Sequence, residues 1–287
     1  MSAKSGVRRM GADFRWPGGR RVALVFNIAY EAWSDGKAPG IGPMGNVLAP
    51  GFFDTNADSW ANFGAVRGIQ RLLDIADGNG IRTSVMVNGV LAERHPETVR
   101  NVQDRGHEVL AHSWGMDVIP VYFKPEEERA NLHRTAGAIR KVTGVQPRGW
   151  ISPRGTGSMD TPRILAEEGF LWHGDCNDDD LPYVQVFGDR RIVAIPLTMD
   201  INDLPWCIRY GNPPGGLLDM FHQTLEAARV RESRAIMLDA TAHTHVFGRA
   251  AGAWVFDEMM RAALRHEDVW ITTREEMATY VLEQSGA

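Results

Sequence analysis

Three histidines and a glutamate have the side-chain chemistry expected of a hydrolytic site. His112 directly follows a short apolar segment and precedes a tryptophan, while Glu31 follows the first apolar segment of the chain. His243 and His245 form an i, i+2 pair, and in an extended segment such residues point to the same side. Groups of these types activate water, transfer protons, or hold a metal ion or a substrate oxygen. Histidine pairs in loops are also common without any function, so the pair alone does not define a site.

Apolar segments that are typical of buried strands alternate with amphipathic segments along the chain. The predicted strands cover residues 21–28, 83–87, 108–111, 170–172, 191–196, 235–239 and 269–272. The predicted helices cover residues 65–77, 96–105, 125–142, 161–168, 217–230 and 254–266. Six or seven strand–helix units without a break in composition predict an α/β fold with a parallel sheet, closed or nearly closed into a barrel. We expect one domain over residues 1–287, with residues 1–15 as an extended N-terminal arm.

Polar and aromatic residues follow the ends of these predicted strands. In a βα barrel the catalytic groups lie at the C-terminal ends of the strands, so we expect these residues to share one rim. Forked guanidinium groups are suited to gripping a carbonyl or carboxylate, and tryptophans either line a pocket or belong to the core. The predicted substrate-binding residues are Tyr30, Trp114, Trp150, Arg154, Asp180, Asp203 and Arg249. The acidic run 178–180 is equally well explained as a solvated loop.

Composition and charge exclude several classes of partner. The formal net charge of -5 gives no general attraction to nucleic acid or to an anionic membrane surface. The two cysteines are too few for a disulfide scaffold and favour a reducing compartment. Residues 1–10 are followed by no apolar signal segment, and no apolar stretch is long enough to span a membrane. We therefore expect a cytoplasmic protein that acts on a small molecule.

The order of several short motifs resembles the polysaccharide deacetylase superfamily, named after the nodulation chito-oligosaccharide deacetylases. Within it, the chain looks closest to the branch that contains allantoinase and cyclic-imide hydrolases. The most specific motifs are NDDDLPY at residues 177–183 and PLTMDIND at residues 196–203. The other motifs are the end of the first strand at 27–31, the segment 106–114, the segment 149–154 and the histidine motif 243–249. The resemblance covers about residues 16–282. It implies a distorted, seven-stranded (β/α) barrel, hydrolysis of non-peptide carbon–nitrogen bonds, and a homo-oligomer, commonly a tetramer.

The sequence departs from the metal-dependent members of that superfamily at two places. Those enzymes carry an aspartate pair after the first strand and two histidines four residues apart. Here Glu31 is the one carboxylate at the first place, and Met116 stands four residues after His112. A thioether is a poor ligand for a divalent ion such as zinc, so a metal-free enzyme is the favoured interpretation. Glu31, His112 and one of the motif histidines could still form a rearranged zinc site.

The resemblance also implies roles for the candidate residues. Glu31 is the general base that activates water, and His112 orients that water, binds the substrate carbonyl or holds a metal. His243 or His245 protonates the leaving nitrogen. Small cyclic amides, imides or ureides are the expected substrates. Two alternatives stay open, namely a metal-dependent polysaccharide or amino-sugar N-deacetylase and a catalytically inactive barrel that binds a ligand.

Overall fold

The computed structural model of this chain describes residues 5–45 and 48–286. The strands in these residues are β1 (Ser5–Arg9), β2 (Val22–Tyr30), β3 (Ser84–Val87), β4 (Glu108–Ala111), β5 (Gly149–Trp150), β6 (Trp172–His173), β7 (Tyr183–Phe187), β8 (Arg190–Ala194), β9 (Ile236–His243) and β10 (Val269–Thr272). The α-helices are α1 (Thr55–Phe63), α2 (Ile69–Gly78), α3 (Gly89–Arg94), α4 (Pro96–Asp104), α5 (Pro125–Thr143), α6 (Thr161–Glu167), α7 (Pro214–Val230), α8 (Ala250–Leu264) and α9 (Arg274–Gln284).

Seven parallel strands form the wall of the barrel. β2, β3, β4, β5, β6 and β8 lie side by side in that order, and β9 pairs in parallel with β2. A parallel bridge between Asn202 and Thr241 joins the segment after β8 to β9. β10 pairs with the first half of β2, while β7 and β1 extend the edge of β8 in antiparallel fashion. The α/β fold with a distorted barrel that the sequence predicts is confirmed.

The side chains of β2 alternate between two apolar cores. Phe26 and Ile28 face the surrounding helices, whereas Val25 and Ala29 face the interior of the barrel. A barrel strand is buried on both faces, which is why β2 is an almost continuous apolar segment. Because side chains alternate along a strand, Glu31 continues the interior set just beyond the C-terminal end of β2.

A buried ion pair occupies the interior at the opposite end of the barrel. The guanidinium of Arg274, at the start of α9, binds the carboxylate of Asp239 and donates from Nε to Asn27 Oδ1 at 3.1 Å. The side chain of Arg274 is 0% exposed and that of Asp239 is 1% exposed. This pair ties α9 to β2 and β9.

Several elements lay outside the reach of the sequence patterns. β5 has only two residues, and β7 runs antiparallel to the barrel strands. α1, α3 and α9 were also not predicted. In the predicted N-terminal arm, β1 is a strand paired with β7. Within the described residues, no helix combines the length and apolar character needed to cross a membrane.

Candidate active site

A single carboxylate oxygen lies between two imidazoles at the C-terminal rim of the barrel. Oε1 of Glu31 is 3.4 Å from Nε2 of His112 and 3.5 Å from Nε2 of His243. Glu31 follows β2, His112 follows β4, and His243 is the last residue of β9. The three residues are 5%, 3% and 7% exposed. This enclosure reduces solvent screening and strengthens the electrostatic interactions among them.

The orientation of His112 is set by a main-chain carbonyl. Its Nδ1 donates a hydrogen bond to the carbonyl oxygen of Ile151 at 2.6 Å. In the neutral ring, this bond leaves a lone pair on Nε2, the atom nearest to Glu31. That nitrogen is buried and has no hydrogen-bond partner among the described residues. This lone pair is available to accept a hydrogen bond from a water molecule or a substrate.

His243 is held by a second, fully buried carboxylate. Its Nδ1 donates to Oδ1 of Asp203 at 2.6 Å, and its main-chain N–H donates to Oδ2 at 2.8 Å. The main-chain N–H of Phe247 donates to the same Oδ2 at 3.0 Å. Burial alone lowers the pKa of a histidine, but Glu31 and Asp203 outweigh it and raise the pKa of His243 to about 10. His243 is therefore a cation at neutral pH.

Glu31 is correspondingly an anion. Burial by itself raises the pKa of a carboxyl group, but here the charge of His243 and its contact with the carboxylate outweigh it. They hold the pKa of Glu31 well below its usual value. The site thus pairs an ionised carboxylate with a protonated histidine.

His245 differs from His243 in environment and in charge. It lies in the turn that follows β9, not in an extended segment as the i, i+2 spacing suggested, yet its ring centroid is 5.7 Å from that of His243. Burial, the largest effect, and the nearby His243 and Arg249 cations outweigh Glu31 and lower the pKa of His245 to about 3. His245 is therefore neutral where His243 is charged, and only His243 can donate a proton at neutral pH.

Close helix packing holds the histidine turn in place. A π-helical turn, Gly64–Gly68, joins α1 to α2 and lies against Thr244. A Cβ added to Gly64 would lie 2.5 Å from Oγ1 of Thr244, and one added to Gly68 would overlap its main-chain carbonyl. The two glycines therefore permit the close approach that positions the turn.

Comparison with known proteins agrees with this geometry. Residues 53–171 match the family model described as Polysaccharide deacetylase. A crystal structure titled "probable Polysaccharide deacetylase" from Pseudomonas aeruginosa PAO1 superimposes with a TM-score of 0.84, at 26% identity over 94% of this chain and 93% of that one. The chain thus carries a polysaccharide deacetylase match over residues 53–171, and its likeness to a solved structure of that description extends over nearly its whole length.

Two further members of the superfamily show its chemical range. The crystal structure of Puue allantoinase superimposes with a TM-score of 0.82, at 25% identity over 92% of this chain and 91% of that one. The peptidoglycan deacetylase of Helicobacter pylori is 23% identical, over 88% of this chain and 96% of that protein. The first likeness is consistent with the allantoinase-like branch. Hydrolysis of non-peptide carbon–nitrogen bonds is the chemistry that the family match and these likenesses support.

The structure places three of the predicted substrate-binding aromatics away from the site. Tyr30 and Trp150 belong to the core between barrel and helices. Trp114 lies under the guanidinium of Arg134, with a centroid distance of 3.3 Å, and packs against α3. Strand alternation explains Tyr30, because its neighbour Glu31 takes the interior side. The packing of these three rings in the core favours a structural role, and their predicted binding role stays a prediction.

The predicted acidic and basic binding residues Asp180, Arg249 and Asp203 lie in different environments. The side chain of Asp180 is exposed, and its main-chain carbonyl accepts a hydrogen bond from the N–H of Met237. Met237 precedes His243 by six residues, which corresponds to roughly 20 Å along the strand. Arg249 donates to the carbonyls of His245 and Trp60, so it supports the turn. The predicted binding roles of these two residues stay predictions. Asp203 lies in the site, but as the partner of His243 and not as a substrate ligand.

Arg154 fits a binding role better. It follows β5, its side chain is exposed, and its φ of 64° lies in the left-handed region that favours glycine. Such strain in a non-glycine residue is concentrated at functional sites. The position remains a candidate for gripping a substrate carbonyl or carboxylate.

Of three further residues near the site, the sequence analysis included Trp33 and Asp175 among possible pocket and rim residues, and only Trp60 escaped it. Trp60 and Trp33 have ring centroids 4.6 Å and 6.0 Å from that of His245. Asp175 accepts hydrogen bonds from the main chain and hydroxyl of Ser152, which fixes the loop after β5. Asp175 had a signal, since it follows a strand. No sequence pattern pointed to Trp60, because it lies in a helix that does not directly follow a predicted strand.

Many members of the polysaccharide deacetylase superfamily depend on a metal ion, so the side chains that this site could offer as zinc ligands bear on its chemistry. Two imidazole nitrogens and a carboxylate are suitable zinc ligands. Among residues 5–45 and 48–286, however, no group of three or more His, Cys, Asp or Glu side chains has an arrangement that could hold a metal. A metal-free enzyme stays a prediction, and Glu31 and His112 are the residues that would hold a metal ion.

Proposed function

We propose that the chain hydrolyses the amide bond of a small cyclic amide, imide or ureide with a water molecule activated by Glu31. The supporting observation is the close contact of one ionised carboxylate oxygen with the Nε2 atoms of two imidazoles, of which that of His243 is protonated. Amide hydrolysis needs a base for water and an acid for the leaving nitrogen. Glu31 and His243 supply this pair within one enclosed site.

The reaction balances within these residues. Water lies between Glu31 and His112, gives its proton to Glu31, and forms a bond from its oxygen to the amide carbon. The carbon–nitrogen bond of the tetrahedral intermediate breaks as His243 gives its Nε2 proton to the leaving nitrogen. The proton on Glu31 then returns to Nε2 of His243, 3.5 Å away, which restores both residues. The ring is opened to a carboxylic acid and an amine, amide or urea.

The enclosure of the site favours a small substrate. Glu31, His112 and His243 are each less than a tenth exposed, and a polymer needs an open cleft along its length. Planar rings with polarised carbonyls are small enough for a site that is this enclosed. The likeness to Puue allantoinase supports the same substrate class.

The second candidate function is N-deacetylation of a polysaccharide or amino sugar. The family match at residues 53–171 and the likeness to the Helicobacter pylori peptidoglycan deacetylase favour it. The same base and acid could act on an N-acetyl group. The two functions differ in the space that they require around the scissile amide.

A substrate panel separates the two candidates. We expect the purified protein to hydrolyse at least one of allantoin, hydantoin, succinimide and maleimide, measured by release of the ring-opened acid, and to retain activity after chelation. Acetate release from N-acetylglucosamine oligomers without ring opening would refute the proposed function. A matched assay of Glu31→Gln identifies any contaminating activity, because that activity would persist in the variant.

A further inference from the structure

His245 is a buried imidazole beside the reaction centre that lacks hydrogen-bond partners. The residue is 0% exposed, and neither Nδ1 nor Nε2 bonds to any of the described residues. Its ring centroid is 5.7 Å from that of His243. Buried polar groups in native proteins almost always have partners, so an unpaired one beside a reaction centre points to a ligand.

The surroundings of His245 hold the ring in one place. Trp60 meets it edge-on with centroids 4.6 Å apart, and Trp33 meets it at 78° with centroids 6.0 Å apart. Arg249 donates to the main-chain carbonyl of His245 at 3.1 Å and so fixes the backbone. The imidazole is therefore a preorganised polar group between apolar walls.

We propose that His245 determines specificity by hydrogen-bonding a second carbonyl or ring N–H of the substrate, while Glu31 and His243 act on the first carbonyl. The inference rests on the proposed function for its substrate class and narrows that class to planar rings with two conjugated carbonyls. A neutral imidazole offers one donor and one acceptor, which match the alternating C=O and N–H groups of an imide or ureide. A ring with a single carbonyl leaves the imidazole unpaired and is bound less well.

Ligand binding tests this inference separately from turnover. Succinimide and 2-pyrrolidinone have the same ring size and differ by one carbonyl, and Trp33 and Trp60 provide a fluorescence signal next to His245. We expect the protein with its native His245, measured in the Glu31→Gln background so that succinimide is not hydrolysed, to bind succinimide about tenfold more tightly than 2-pyrrolidinone. His245→Leu should remove this preference and leave the Kd of 2-pyrrolidinone unchanged, and His245→Gln should restore part of it. His222→Leu, at an exposed position in α7, is the matched control and should behave as wild type.

Other outcomes would overturn the inference. A His245→Leu protein with an unchanged circular dichroism spectrum that keeps the preference, or that loses affinity for both rings equally, shows that His245 only packs. A wild-type protein that does not distinguish the rings also overturns it. A protein that binds succinimide more tightly than 2-pyrrolidinone but hydrolyses no cyclic substrate would refute the proposed function and leave the binding role of His245 intact. Ring opening by His245→Leu with an unaltered KM for succinimide refutes this inference alone.

Discussion

Oδ1 of Asp203 accepts a hydrogen bond of 2.6 Å from Nδ1 of His243, on the opposite side of the ring from Glu31. Asp203 also accepts the main-chain N–H groups of His243 and Phe247. Burial raises the pKa of Asp203, and the charge of His243 and these three donors act in the opposite direction, in favour of the ionised carboxylate. The contact with Asp203 in turn favours the protonated ring of His243. The second ring proton therefore lies on Nε2, where it faces the reaction centre.

This contact predicts the alkaline limb of the pH profile. The acid must be protonated, so kcat/KM should fall as the pH rises through the His243 pKa of about 10. Asp203→Asn removes one of the two stabilising charges and should move that limb down by about 1–3 pH units. A pH–rate profile of both proteins measures the shift. An unmoved limb would show that another group sets it.

The same pKa makes a prediction about stability. The pKa of His243 in the folded protein, about 10, lies above its ordinary value of 6.5. The resulting stabilisation is complete below about pH 6.5 and is lost as the pH rises through about 10. We expect the Tm of the wild-type protein to fall across that window. His243→Gln should show a smaller fall, because its side chain does not titrate.

Replacing the proposed base should stop turnover. Glu31→Gln keeps the size of the side chain but removes the proton acceptor, so kcat should fall by about 10²–10⁴. Glu283→Gln, at an exposed position in α9, should keep wild-type activity. Full activity in a folded Glu31→Gln protein would assign the base to another residue.

The packing of the π-helical turn predicts a sharp difference between two glycines. Gly68→Ala forces a methyl group onto the carbonyl of Thr244 and should cost about 3 kcal/mol of stability, with a loss of kcat from the displaced histidine turn. Gly78→Ala, at the end of α2, meets nothing within 4 Å and should leave both properties nearly unchanged. Thermal unfolding and kinetics of the two variants test the difference. Equal stability of the two variants would show that the π-helical turn can shift to accommodate the added methyl group.

Arg154 should show opposite effects on stability and substrate affinity. Arg154→Gly relieves the left-handed backbone strain and should add about 1 kcal/mol to the free energy of unfolding. Loss of the guanidinium should raise KM at the same time. Arg154→Lys keeps the strain and the charge, so its KM should lie between the two. A gain in stability with an unchanged KM would remove Arg154 from the substrate site.

The sequence patterns predicted the long strands of the fold and missed its short elements. β2 and β9 bury both faces over eight or nine residues, so their apolar segments were visible without any structure. The two-residue strand β5 carries no periodicity, and α1 has no strand end or proline to mark it. Short elements of this kind are stabilised mainly by their neighbours.

The sequence by itself determined the barrel and the clustering of Glu31, His112 and His243 at its rim, because strand ends in a parallel barrel share one edge. It did not separate His243 from His245, which are two residues apart and chemically identical. Only the tertiary structure placed Asp203 against one ring and Trp60 against the other. Protonation depends on the distance to charges and on burial, and both are set by segments far apart in the chain.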